Sequence, residues 1–187
     1  MKFSTKWHLE DSVCELVPNK IEDGRGFFSE VYQKNSFEEI GIKDIFVQEN
    51  HSCSKNKYTF RGLHFQRPPF EQAKLIRVLQ GSIIDIAVDL RVNSSSYLHH
   101  RLINVSAKNF KQVYVPVGFA HGFLTMEKNC EILYKVSNPY DHSSDVSVSI
   151  LDDELGIKLP CTIDQMTLSD KDRNGESVKS LGEIFFV

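Results

Sequence analysis

Apolar and polar positions alternate with a period of two through most of the middle of the chain. Leu75-Ile-Arg-Val-Leu and Ser82-Ile-Ile-Asp-Ile-Ala-Val-Asp-Leu flank Gly81 and read as two strands about a glycine turn. In the second, Ile84, Ile86 and Val88 face one way, against Ile83, Asp85, Ala87 and Asp89 on the other. Further strands are predicted at 101–105, 112–115, 122–125, 131–136 and 146–150, with another at 46–52. Turn signals recur roughly every eight to twelve residues, at Gly24 and Gly26, Pro68-Pro69, Gly81, Asn93-Ser-Ser-Ser, Pro116 with Gly118, and Asn138-Pro139. Many short strands at that spacing predict an all-β sandwich or barrel. One short helix is expected at Ser36-Phe-Glu-Glu-Ile, with Ser36 as its cap and Glu38 and Glu39 in its first turn, and a second near Ser106-Ala-Lys-Asn. The segment after Pro160 has a poorer pattern and is expected to wrap the outside. No repeat, low-complexity tract or linker divides the chain, so one domain is predicted.

Composition narrows the class. The 187 residues are 41% apolar and 25% charged, as in folded domains, so wholesale disorder is excluded. Twenty-two Lys and Arg against 25 Asp and Glu give a net charge of -3, which argues against a nucleic-acid-coating protein. Local cations remain available for an anionic ligand. The opening Met1-Lys-Phe-Ser-Thr-Lys-Trp-His has no apolar core of signal-peptide length, and no run reaches the roughly 18 apolar residues of a membrane span. Cys14, Cys53, Cys130 and Cys161 are far apart and form no CxxC pair. They read as ordinary reduced thiols of a cytoplasmic protein.

Four clusters could carry chemistry. In Thr59-Phe-Arg-Gly-Leu-His-Phe-Gln-Arg, an extended chain would place Phe60, Gly62, His64 and Gln66 on one face and Arg61, Leu63 and Phe65 on the other. His64 on the inside of a small barrel, with Lys74 on a neighbouring strand, would supply a base and a fixed cation to one cavity. A surface strand with both groups solvated fits the spacing equally well. In Glu131-Ile-Leu-Tyr134-Lys-Val, Tyr134 shares a face with Ile132 and Val136. Its hydroxyl makes it either a satisfied core tyrosine, which the pattern alone favours, or a proton donor. Leu168-Ser-Asp-Lys-Asp172 alone is a solvated charge run.

The fourth cluster, Pro116-Val-Gly-Phe-Ala-His121-Gly-Phe, resembles the second sequence box of the cupin superfamily, a jelly-roll barrel. The stretch comparable to the first box reads His64-Phe65-Gln66, with one imidazole where metal-binding cupins have two. A transition metal would be short of ligands there, so no metal site is expected.

Taken together, nine stretches resemble the dTDP-4-dehydrorhamnose 3,5-epimerase family in order and spacing. They include Asp23-Gly-Arg-Gly-Phe-Phe-Ser-Glu30, Phe46-Val-Gln-Glu-Asn-His-Ser52, Phe60 to Gln66, Gln72-Ala-Lys-Leu-Ile-Arg-Val78, the Pro116 box, Tyr134-Lys135 and Leu168 to Asp172. The resemblance implies a cupin-type jelly-roll barrel with a few short helices, acting as a homodimer without metal or organic cofactor. Its core would span about 45–150, with an N-terminal arm of 1–44 exchanged toward the partner and a C-terminal wrap of 151–187. Neither nucleic acid nor membrane is implied as a partner.

The activity implied is inversion of C3 and C5 of a 4-keto-6-deoxyhexose carried on dTDP, in a rhamnose-type pathway. A strict 3-epimerase shares the same motifs. A non-catalytic sugar-nucleotide binder has no need of the whole acid–base set. By family match, His64 is the base, Asp172 its orienting carboxylate, Lys74 the enolate-stabilising cation and Tyr134 the acid on the opposite face. The match further implies substrate-binding roles for Arg25, Phe28, Glu30, Gln48, Asn50, Arg61, His121, Tyr140, Asp145 and Lys171. The chain departs from the family at Asp145, usually Glu, at Leu151 and Leu159, often Trp, and at Pro139, often aromatic. The tail from Val178, ending Ile-Phe-Phe-Val, is expected to pack on the barrel or on the partner.

Overall fold

The computed structural model describes residues 2–185. Two antiparallel sheets face one another. The six-stranded sheet has the spatial order β1 (Phe3–His8), β2 (Val13–Pro18), β10 (Gln112–Val115), β7 (Lys74–Gln80), β12 (Cys130–Val136) and β5 (Gln48–Ser54). The five-stranded sheet runs β13 (Asp145–Ser147), β6 (Phe60–Gln66), β11 (Phe119–Thr125), β8 (Ser82–Asp89) and β9 (His100–Ser106). A separate hairpin is formed by β3 (Ile21–Asp23) and β4 (Gly26–Phe28). Among the described residues, no helix is long and apolar enough to cross a membrane.

Three apolar layers hold this arrangement. Between the sheets lie Val13, Ile76, Val78, Ile83, Ala87, Ile103, Val113, Phe119, Phe123 and Ile132, contributed by both. Ile86 and Val88 turn the other way, into an outer layer with Leu63 and Phe65. β8 is therefore buried on both faces, as its unbroken apolar run requires. That outer layer is closed by Leu155, Val178, Leu181 and Phe185, so the C-terminal segment wraps the five-stranded sheet. Phe185 meets the ring of Phe65 edge-on at 5.6 Å. Phe186 and Val187, at the end of the tail, lie outside the described residues. On the far side of the six-stranded sheet, Phe37 and Ile42 cover Leu16, Leu75 and Tyr114. A fully buried Phe or Ile contributes about 1.5–3 kcal/mol, so each cover is worth several.

Several local expectations are corrected. The first helix, α1 (Lys34–Glu39), is capped by Gln33 and not by Ser36. The Gln33 side chain accepts from Ser36 N at 2.6 Å and from Ser36 Oγ at 2.8 Å, which puts Ser36 inside the helix. No helix forms at 106–109. Asn109 Oδ1 accepts from Ser106 N at 3.0 Å while Ser106 Oγ accepts from Asn109 N at 3.0 Å, and the chain closes as a turn. β1 and β2 were not anticipated, since β1 is an edge strand whose burial does not alternate. The last strand is shorter than expected, Asp145–Ser147, and Val148 beyond it pairs with Leu63 of β6 while bridging Glu176 of the wrap.

At Gly62 two strands of the barrel approach closely. Gly62 has a φ of +135°, and a Cβ there would stand 2.5 Å from Gly122 Cα and 2.9 Å from the carbonyl oxygen of His121. Backbone cannot yield as a side-chain tip does. Gly62→Ala is expected to destabilise the fold by about 3 kcal/mol, combining overpacking with an unfavourable φ. A urea unfolding midpoint would measure this, and an unchanged midpoint would refute the close approach.

Candidate active site

The space between the sheets opens at one end into a cavity of about 420 Å³. Arg61, His64, Lys74, His121, Tyr134, Lys171 and Asp172 all line it. His64 stands on β6 and His121 beside it on β11, where the two are direct partners in the register. Lys74 and Tyr134 come from β7 and β12 of the facing sheet. An imidazole and a phenol thus reach one space from opposite walls.

The alternation expected along β6 does not hold at Arg61. Leu63 and Phe65 do turn into the outer layer, but Arg61, expected with them, lines the cavity together with His64. The positive φ at Gly62 and a register shift against β11, between His121 and Phe123, reset the alternation. Arg61 Nε then donates to Ser54 Oγ at 3.1 Å, which holds the guanidinium at the rim.

His64 Nε2 lies 2.6 Å from Asp172 Oδ1. Asp172 rides on a short helix, α2 (Asp170–Arg173), whose cap residue Ser169 accepts from Asp172 N at 3.1 Å. Burial alone would raise the Asp172 carboxyl. The hydrogen bond and charge of His64, with help from Ser169 and Lys171, outweigh it and hold the group below the usual carboxylate range. Asp172 is therefore ionised and sets the ring of His64.

Lys74 is buried, and its Nζ donates to the backbone carbonyl of His64 at 3.0 Å. Burial pulls its ammonium down to about 8, against the opposing pull of Asp145 and Asp85. The Tyr134 phenol is pushed up by burial, with Arg61 working against the shift and Asp145 adding to it. It stays protonated at neutral pH. His121 Nε2 lies 2.8 Å from Asp85 Oδ2, forming a second imidazole–carboxylate pair on the same wall.

An adjoining chamber of about 350 Å³ shares His64, Lys74 and Tyr134 with the first and is otherwise lined by Gln48, Asn50, Tyr140 and Asp145, among others. Gln48 Nε2 donates to Asn50 Oδ1 at 2.9 Å, and Tyr140 OH donates to Asp145 Oδ2 at 3.0 Å. The Tyr140 side chain is 56% exposed, which leaves its ring free to stack on a planar ligand. Arg25, Phe28 and Glu30 line neither cavity. Arg25 pairs with Asp23 at the tip of the β3–β4 hairpin, Glu30 pairs with Lys2, and Phe28 is 68% exposed. Of the departures, Leu151 and Leu159 stand outside both cavities, whereas Asp145 lines the second.

Sequence reasoning did not single out Asp85 as a site residue. Its signal was a carboxylate at an inward-facing position of the otherwise apolar run Ile83 to Val88, where an unpaired charge would be costly.

A jelly roll that brings an imidazole–carboxylate pair, a buried ammonium and a phenol to one cavity is the equipment of a proton-transferring isomerase with a cupin-like fold. The family model of dTDP-4-dehydrorhamnose 3,5-epimerase matches residues 8–180. The chain belongs to that family. It is 47% identical over 149 residues to the dTDP-4-dehydrorhamnose 3,5-epimerase of Salmonella typhimurium, covering 79% of this chain and 81% of that one. The crystal structure of the dTDP-6-deoxy-D-glucose-3,5-epimerase of Legionella pneumophila, in complex with dTDP-4-keto-L-rhamnose, superposes with a TM-score of 0.93 at 34% identity, covering 99% of this chain and 98% of that one. The dTDP-4-dehydrorhamnose 3,5-epimerase of Bacillus anthracis, with TDP and pyrophosphate bound, gives 0.90 at 41% identity, covering 94% and 99%.

Proposed function

We propose that the chain inverts C3 and C5 of dTDP-4-dehydro-6-deoxy-D-glucose to give dTDP-4-dehydro-L-rhamnose. The observation that carries this reading is the approach of His64 and Tyr134 to one cavity from facing sheets, with Lys74 buried beside them. A C–H next to a ketone is acidic because its anion delocalises onto the carbonyl oxygen. His64 takes that proton on the ring nitrogen that Asp172 does not engage, and the Asp172 carboxylate favours the imidazolium so formed. The Lys74 ammonium meets the negative charge that develops on the carbonyl oxygen. Inversion then needs a proton from the other side of the ring, out of reach of the base that removed the first. Tyr134 supplies it, since an adjacent enolate is basic enough to draw a phenolic proton.

The thymine end of the nucleotide occupies the adjoining chamber, and the diphosphate lies at the Arg61 and Lys171 side of the first cavity. The thymine stacks on Tyr140 and meets Gln48 and Asn50, while Arg61 and Lys171 pair with the diphosphate. His121 lines the sugar pocket. The β3–β4 hairpin explains why Arg25, Phe28 and Glu30 stand apart from their own cavity. Its Ile21, Phe27 and Phe28 are exposed, and in a homodimer with exchanged arms they enter the partner's site.

The test is solvent deuterium entry during turnover of dTDP-4-keto-6-deoxyglucose. Label is expected at both C3 and C5 of the product. Label at C3 alone would overturn the double inversion, and none at either would overturn the reaction.

A further inference from the structure

The β3–β4 hairpin pairs with neither sheet, so its direction is set by side chains at its base. Along β4, neighbouring residues point to opposite faces. The register puts Phe28 beside Ile21 on one face, and both are exposed. Phe27 lies on the other face and turns back to its own chain. Its ring meets Phe110 edge-on, with centroids 5.4 Å apart and planes at 84°. Lys20 Nζ sits 4.4 Å from the centre of Phe27 and 4.3 Å from that of Phe110, so one cation serves both rings. Arg77 of β7 also lies over Phe110, at 5.1 Å.

Phe110 stands just before β10, and β10 supplies a second tie. Gln112 is buried and donates from Nε2 to the carbonyl oxygen of Val31 at 3.0 Å, where the chain leaves the hairpin. Gln112 and Arg77 are register partners, so the ring and the amide are both backed by paired sheet. Ser29 Oγ closes the base of the hairpin by donating to the carbonyl oxygen of Asn19 at 2.8 Å. Phe110 has a φ of +59°, where a bulky residue is uncommon. Its ring packs on the hairpin and outside the three apolar layers.

We propose that Phe110 and Gln112 form a mount that holds the hairpin at the angle at which Arg25, Phe28 and Glu30 enter the partner's site, so that a residue of one subunit sets substrate affinity in the other. This rests on the arm-exchange reading above. Phe110 lines neither cavity and is a positioning residue. A hairpin that is not held has to be ordered by the ligand, at a cost in affinity.

Phe110→Ala is expected to weaken dTDP binding in calorimetric titration, and to raise KM, about five- to tenfold, the scale of one aromatic pair with its cations, while kcat stays within about twofold. Phe110→Tyr keeps the ring and is expected to restore both. A merely structural loss would lower kcat through inactive protein and leave KM alone. The direction across the dimer is read from hybrids, isolated by two affinity tags, that pair a Phe110→Ala subunit with a His64→Asn subunit. In them the one intact base receives the securely mounted hairpin of its partner. The expected result is the wild-type KM with about half the wild-type kcat per dimer. A KM as high as in the Phe110→Ala homodimer would overturn the inference, and so would unchanged dTDP binding by Phe110→Ala. Should that variant fail to fold or to pair, Phe110→Leu carries the same expectation and the same refutation. Arg25→Ala separates this inference from the reading beneath it. If it weakens dTDP binding and hybrids with His64→Asn restore the KM, arm exchange stands whatever Phe110 does. Wild-type binding by Arg25→Ala would overturn arm exchange, and this inference with it.

Discussion

Replacing His64 with Asn is expected to lower kcat for epimerisation about 10³-fold, within the range of general-base losses, while dTDP binding changes less than about threefold. The split follows from position. His64 reaches the cavity shared with Lys74 and Tyr134, where a sugar ring would sit, and the nucleotide contacts are assigned to other side chains. Asn keeps a polar group of similar width beside Asp172 but has no basic nitrogen. Solvent exchange at both carbons should fall with kcat, because proton removal precedes everything else. Activity above about a tenth of wild type would remove His64 from the role of base.

Lys74→Met is expected to cost about 10²- to 10³-fold in kcat, comparable to losing an oxyanion-stabilising donor elsewhere. Met matches the length of the lysine stem and suits its buried surroundings, so the change deletes the charge and little of the packing. The pH profile gives a second reading. The ammonium is the active form, and burial brings its pKa to about 8. Activity is therefore expected to fall as pH rises through that value. The alkaline limb should be absent from the residual activity of Lys74→Met. A limb of the same position in both proteins would assign it to another group.

The strands that build the barrel were largely legible in the chain. β8 shows why: its two apolar faces are visible as Ile84, Ile86 and Val88 against Ile83 and Ala87, and both faces are buried. The catalytic candidates were legible in part. His64 and Lys74 stand on neighbouring segments of clear strand pattern, whereas Asp172 is 108 residues from the histidine it touches. No local pattern links them, and only the family resemblance paired them. Arg61 was misplaced because alternation assumes an uninterrupted strand, and Gly62 interrupts it. β1 escaped because it lies at the sheet edge with Phe3 alone of its six residues buried, so neither of its faces carries an apolar rhythm. In the proposed arm-exchanged dimer Arg25, Phe28 and Glu30 act on a second chain, so neither periodicity nor burial within one chain could reveal such a role.

The Asp172 carboxylate that pairs with His64 lies beyond every strand of both sheets, on a helix of the C-terminal wrap. All the walls of the barrel are therefore synthesised before the chemistry is complete. A nascent chain halted at about residue 165 would possess its ammonium, its phenol and an imidazole with no fixed orientation. The stretch of chain that carries Asp172 also seals the apolar outer face of the five-stranded sheet, through Leu155, Val178, Leu181 and Phe185. Covering of that sheet and orientation of the His64 ring are in this way tied to one event.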